Sequence, residues 1–257
     1  MCGGGELVVR EWGEGPAVVL LHGGFGSWLH WVRNIAALAS ARRVLAVDLP
    51  GLGDSAAIPD PVTPEAIGTV VTDGLGQCLD GAPAVDLVGF SFGGLIAGQV
   101  AARLGARVRT LTLVGASGLG LRRQRYELMP RTPRMDDAAL RAAQAHNVRT
   151  LMLHDPASLD ELALAVQAHN DERARLKSRR MSLGDSLRQI LPCVQARLNG
   201  VWGEQDITAV PWIEERRALL ESLHPELDFR ILRGAGHWVQ YEASEAFNRL
   251  LPQLLAR

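Results

Sequence analysis

The sequence predicts an α/β domain, a mostly parallel, doubly wound sheet carrying one inserted helical lid. Short apolar, β-branched runs alternate with segments of helical period, and the runs end in glycine-rich loops. The alternation lapses once, over residues 117–197, and then resumes.

Residues 7–12 and 17–21 are apolar runs joined by Gly13-Glu14-Gly15-Pro16, a turn signal that makes them a hairpin or adjacent strands. The second run leads directly into His22-Gly23-Gly24-Phe25-Gly26-Ser27. Trp28, Trp31, Val32, Ile35, Leu38 and Ala39 recur at helical spacing, so 28–39 reads as a helix. Residues 43–47 form a buried strand ending in Asp48-Leu49-Pro50-Gly51-Leu52-Gly53-Asp54-Ser55. Thr63 suits an N-cap and Pro64 the first helical position, predicting a helix to about residue 79. A strand from 85, the helix 95–103 and a strand at 110–114 follow.

Residues 117–197 hold helical segments at about 136–153 and 159–177 but no convincing strand. With 14 basic and 9 acidic side chains, the stretch is locally positive. Reactive loops of such sheets lie at the carboxyl ends of the strands, so an insertion there reads as a lid. The domain reading is a core of 1–116 and 198–257 with a cap of 117–197. Most single arginines of the cap are simply solvated charges. Strand character returns at 196–202, followed by Gly203-Glu204-Gln205-Asp206. A helix over 211–223, a strand at 227–232, the loop Arg233-Gly234-Ala235-Gly236-His237-Trp238 and a helix at 243–255 complete the chain. Phe247, Leu250, Leu251, Leu254 and Leu255 give that last helix one apolar face.

A length of 257 residues suits one large domain, and the apolar and charged fractions, 47% and 21%, are those of an ordinary globular protein. The net charge of −1 leaves no footprint for nucleic acid or a membrane surface. Of the 27 basic residues, all but Lys177 are arginine, which reads as codon bias. The three cysteines, Cys2, Cys78 and Cys193, form no C-x-x-C, so neither a disulfide framework nor a zinc site is indicated. No basic-then-apolar leader and no 18-residue apolar run occurs, which makes the expectation a cytoplasmic protein without a membrane span. No metal or organic cofactor is expected, because the glycine loops match neither a dinucleotide fingerprint nor a P-loop. The oligomeric state is left open, a homo-oligomer included.

The chemistry concentrates at Gly89-Phe90-Ser91-Phe92-Gly93-Gly94. A strand, then G-x-S-x-G, then a helix is the context in which a serine hydroxyl is presented at the tip of a strand. The turn is so sharp that residues two positions away on either side of Ser91 approach closely, which leaves no room for a Cβ. The helix start supplies a backbone N–H at Phe92 and a positive dipole end, both suited to an oxyanion.

HGGFG after an early strand, DLPGLGDS, GFSFGG, WGEQD at a strand end and GAGHW before the last helix stand in succession. Together they resemble the α/β-hydrolase family over essentially the whole chain. The resemblance implies a serine hydrolase with Ser91 as nucleophile, His237 as its base and Asp206 as the acid that orients the imidazole. His22 is the rival base and Glu204 the rival acid. The backbone N–H groups of Gly24 and Phe92 would form the oxyanion hole, and Asp48, Asp54 and Ser55 match a loop read as structural. A serine at 91 argues against a dehalogenase, where the family places aspartate.

Two branches fit. One contains carbon–carbon bond hydrolases of ring-fission dienoates, suggested by His22–Gly26, by Arg33-Asn34 and by GHWVQYE, with Arg179 or Arg180 as the lid arginine for a carboxylate. Many of its members have asparagine immediately before the nucleophile, where this chain has Phe90. The other branch is carboxylesterases or lactonases, and an ester is the favoured small-molecule acyl substrate. Phe25, Trp28, Trp31, Phe90, Phe92 and Trp238 would then line an aromatic pocket, unless they are ordinary core. A ligand-binding protein that keeps the fold without turnover is the reading outside enzymes.

Overall fold

The computed structural model describes residues 6–79, 84–132 and 134–256. Its strands are β1 (Val9–Trp12), β2 (Ala17–Leu21), β3 (Arg43–Val47), β4 (Val85–Phe90), β5 (Val108–Val114), β6 (Arg197–Gly203) and β7 (Asp228–Leu232). They form one sheet in the order β1-β3-β2-β4-β5-β6-β7, parallel throughout except for β1.

The first two strands do not form the expected pair. β1 runs antiparallel to β3, with Val9 opposite Val47, and β2 lies on the far side of β3. The cause is burial. Ala-Val-Val-Leu-Leu is apolar on both faces and fully buried, which suits only the interior of a parallel sheet. Val-Arg-Glu-Trp can face water and takes the edge.

Alternate residues of each central strand feed opposite layers. Val19 and Leu21 pack with α2 (Pro64–Cys78), α3 (Phe92–Leu104) and α8 (Ile213–Leu223), whereas Val18 and Leu20 pack with α1 (Ile35–Ala39) and α10 (Ser244–Leu255). Thr63 caps α2 through the Ala66 N–H, with Pro64 at its first position. The predicted helix 28–39 is divided into a 3₁₀ turn, Trp28–Trp31, and the short α1. Between them Arg33 and Asn34 turn toward the C-terminal region, donating to the carbonyls of Tyr241 and Gln240.

Between β5 and β6 lie α4 (Asp137–Asn147), a π-helical turn (Val148–Met152), α5 (Glu161–Arg173), α6 (Arg179–Ser182) and α7 (Ser186–Ile190). Asp136 and Asp160 cap α4 and α5. The final part of this segment departs from the expected cap. Leu187 and Leu191 are fully buried in the main core, Leu187 against Gly98 of α3, so α7 belongs to the helical layer under the sheet. Glu242, the last residue of the short α9 (Val239–Glu242), accepts the N–H groups of His154 and Asp155, which fastens the preceding segment to the core. Among the described residues no helix is long and apolar enough to cross a membrane. Cys78 and Cys193 are free thiols, and Cys2 lies outside the described residues.

Candidate active site

Ser91 stands between β4 and α3 at φ 52° and ψ −114°, a left-handed conformation rare for a residue with a side chain. Neighbouring backbone holds it there. Its N–H donates to Val114 O at 2.8 Å, and its carbonyl accepts from Gly94 and Ser117, each at 3.0 Å. The glycines on either side are required sterically. A Cβ on Gly89 would lie 2.6 Å from Gly94 Cα, and one on Gly93 would meet the carbonyls of Leu21 and His22.

The Ser91 hydroxyl lies 3.0 Å from His237 Nε2, and His237 Nδ1 lies 2.9 Å from Asp206 Oδ2. The other carboxylate oxygen of Asp206 accepts the N–H and O–H of Thr208, both at 2.8 Å. Asp206 is completely buried and His237 is 4% exposed. Burial pushes the Asp206 carboxyl upward. The imidazole of His237 and the two Thr208 donors outweigh it and hold the group below the ordinary carboxylate range. With Asp206 ionised, the Nδ1–H donates to it and Nε2 is left as acceptor for the Ser91 hydroxyl. Gly115, at φ 50°, closes the same corner, where a Cβ would sit 3.2 Å from both Asp206 Oδ2 and His237 Nδ1. Glu204 instead accepts the Gly234 N–H and holds the turn before His237.

His22 is buried and shapes loops. Its Nδ1 bonds Gly23 O at 2.7 Å, and its Nε2 accepts the Leu49 N–H at 2.9 Å. The Gly23 N–H donates to His30 Nδ1 at 3.2 Å. His30 Nε2 lies 3.4 Å from the amide of Asn170, and Asn170 accepts from Ser27 at 2.6 Å. Burial lowers the His30 pKa well below the usual histidine range, and the neighbouring His22 and His237 lower it further. The loop so fixed carries Gly24 beside Phe92, since a Cβ on Gly24 would approach Phe92 Cβ to 3.6 Å. As the first residue of α3, Phe92 has an N–H without an intrahelical acceptor. Asp48 braces the adjoining loop, accepting from Arg10, from the Trp28 N–H and from the Asp54 N–H.

Ser91 and His237 line a cavity of about 120 Å³. Phe25, Phe90 and Arg179 line it too, as the sequence suggests. Trp31, Trp238 and Arg180 do not. Trp31 is fully buried against Phe90 and Phe247, and Trp238 stacks on Tyr241 while donating to His30 O. Trp28 carries Arg10 over its ring, away from the cavity. Sequence reasoning missed His30, Arg123, Tyr126, Ser178 and Thr208 in the wall. Thr208 had a signal, since a threonine two residues after an aspartate can cap its carboxylate. The others arrive from sequence-distant segments. Leu128, Leu151, Met152 and Leu183 make much of the remaining wall apolar.

A hydroxyl in contact with a neutral imidazole, itself held by a buried anion, can attack a carbonyl carbon. Fold and site together define a hydrolase. The chain belongs to the Alpha/beta hydrolase family, which it matches over residues 18–250. It is 33% identical, over 98% of its own length, to the dihydrolipoyllysine-residue acetyltransferase component of the acetoin cleaving system of Pseudomonas putida, covering 67% of that protein. To the 2-hydroxy-6-oxononadienedioate/2-hydroxy-6-oxononatrienedioate hydrolase of Comamonas testosteroni it is 30% identical over 98% of its length, covering 91% of that chain. Among solved structures, the enol-lactonase from Burkholderia xenovorans LB400 superposes with a TM-score of 0.78 at 23% identity, covering 100% of this chain and 98% of the other. That last likeness is one of fold.

Proposed function

We propose that the protein is a serine hydrolase that cleaves small to medium, largely apolar carboxylic esters through an acyl-enzyme. The reading rests on the line of hydrogen bonds from Asp206 through His237 to Ser91 in the wall of a mostly apolar cavity. In this mechanism Ser91 Oγ attacks the ester carbonyl while His237 Nε2 takes its proton. Asp206 holds the tautomer and stabilises the imidazolium. The N–H groups of Gly24 and Phe92 receive the oxyanion. The imidazolium then returns its proton to the departing alkoxide, and water, deprotonated by the same imidazole, releases the acid. The cap expected over residues 117–197, less its final helix α7, sets access and selectivity, and the free thiols fit a reducing, cytoplasmic setting.

A second reading is carbon–carbon hydrolysis of a ring-fission dienoate, favoured by Arg179 in the cavity wall and by the Comamonas testosteroni relative. That reaction must first convert a dienol to a ketone, which calls for polar groups beside the serine. Phe90, directly before Ser91, offers none.

The test is labelling by a fluorophosphonate probe, with hydrolysis of p-nitrophenyl acyl esters of graded length beside a dienoate. Labelling of Ser91 and ester turnover lost in Ser91→Ala support the proposal. An unreactive serine indicates a binding protein, and a label on Ser117 a misassigned nucleophile. A dienoate turned over faster than any ester, and dependent on Arg179, favours the second reading.

A further inference from the structure

We infer that Arg123 is a specificity residue whose guanidinium receives a carboxylate carried by the substrate. The ligand class is therefore an apolar acyl ester that ends in an acid. This rests on the hydrolase reading above and adds a charge to it.

Arg123 follows β5 and lines the same cavity as Ser91, Thr208 and His237. Its Nη2 donates to Ser182 O at 3.1 Å, the one hydrogen bond its side chain makes among the described residues. A guanidinium has five N–H donors, so most of its capacity is unspent. Its chain neighbour Arg122 is paired with Glu215, whereas Arg123 has no carboxylate within ion-pair distance among the described residues. Asp206 is near enough to pull the Arg123 pKa upward, as is Tyr126, yet burial dominates and moves it down. Asp206 spends its hydrogen bonds on His237 and Thr208 and makes none with Arg123. Arginine keeps its charge in proteins, and Arg123, half-buried in the cavity wall with most of its donors unspent, is set to take an anion from outside.

The surroundings point the same way. Arg123, Tyr126, Arg179 and Leu183 also border an adjoining surface depression, where Arg125 joins them and Glu127 is the one acid. Neither Arg125 nor Arg179 forms an ion pair among the described residues. A positive rim before a largely apolar cavity draws in amphipathic anions. Arg123 is a different residue from the arginine pair 179–180 that the sequence suggested for a dienoate carboxylate, although Arg179 lines the same cavity.

The experiment compares kcat/KM for 4-nitrophenyl hydrogen adipate with that for its neutral methyl ester. The unmutated protein should prefer the acid by about 10-fold or more, the usual effect of a hydrogen bond to a charged group. That preference should fade as salt is raised from about 10 mM to about 1 M, which needs no variant. Arg123→Gln should bring the ratio to about 1, and Arg123→Lys should retain part of it. A wild-type ratio at or below 1 overturns the proposal, as does a preference that survives Arg123→Gln and disappears in Arg179→Gln. If neither ester is cleaved and no probe labels Ser91, the hydrolase reading has failed by itself. Calorimetric titration with monomethyl adipate then decides Arg123 alone. Binding lost in Arg123→Gln supports the role, and an absence of binding to the unmutated protein overturns it.

Discussion

Acidification from pH 7 to pH 5 should destabilise the fold through His30. The ring is 4% exposed and packs against Phe90, Trp238 and His22. Because Nδ1 accepts the Gly23 N–H, a second proton would face a donor. The folded pKa lies well below the ordinary 6.5, chiefly from burial. Below pH 6.5 the unfolded chain therefore binds a proton that the folded chain does not. Stability rises with pH in this window and falls on acidification, by up to about 1.4 kcal/mol per pH unit. Integrated between the two pH values, a His30 that stays neutral when folded contributes a loss of about 2 kcal/mol. His22, buried and also lowered, adds to it with the same sign. The depressed carboxylates Glu11, Asp54, Asp160 and Asp206 act in the other part of the scale, below their unfolded values of 4.5 or 3.8. Urea unfolding at both pH values measures the effect. His30→Gln cannot titrate and keeps an acceptor, so its loss over the same interval should be smaller by about 2 kcal/mol. Equal losses in the two proteins would refute the reasoning.

Asp206→Asn should lower kcat by about 10³–10⁴-fold, since the amide cannot stabilise the imidazolium. Glu204→Gln, which touches only the Gly234 turn, should cost a few-fold at most, and the reverse order would reassign the acid. Thr208→Val removes the hydroxyl donor to Asp206 at 2.8 Å and should cost about 1.5–3 kcal/mol in denaturant unfolding, whereas Thr208→Ser should recover most of it. Gly115→Ala strains a φ of 50° and crowds the Asp206–His237 contact, so kcat should fall by about 10-fold or more while Ser91 still folds into place. Leu183→Ala in the cavity wall should change relative rates among long acyl esters more than the rate for acetate.

The parts of the fold that were legible in the sequence are those specified locally. β2 and β4 are unbroken apolar runs, and the glycines around Ser91 report a backbone crossing too tight for any side chain. The serine, acid and histidine stand at strand ends, so the order of the strands alone brings them to one edge. What escaped depends on contacts far apart in the chain. The place of β1 was set by competition for the sheet interior, which its neighbouring turn does not record. Trp31 and Trp238 looked like pocket aromatics because they flank the motifs, but rings of that volume fill the space behind the site. His30 joins a loop at Gly23 to a helix at Asn170, and Arg123 reaches the wall only because the segment after β5 folds back over Ser91. No periodicity signals such contacts.

β5 and β6 are neighbours in the sheet, with Val114 directly beside Val201. Because the two strands are parallel, the long excursion between them leaves the core at Val114 and re-enters at Arg197, which lies beside Thr110, about 13 Å back along the strand. Closing a chain loop costs only about 0.6 kcal/mol more for each doubling of its length. The sheet is accordingly almost indifferent to how much polypeptide hangs from this junction, provided that α7 still returns to lie on α3. Lineages can lengthen, shorten or exchange the excursion while the reacting groups stay where the strands put them. Inheritance of chemistry and innovation in substrate are thus uncoupled by one adjacency in the sheet.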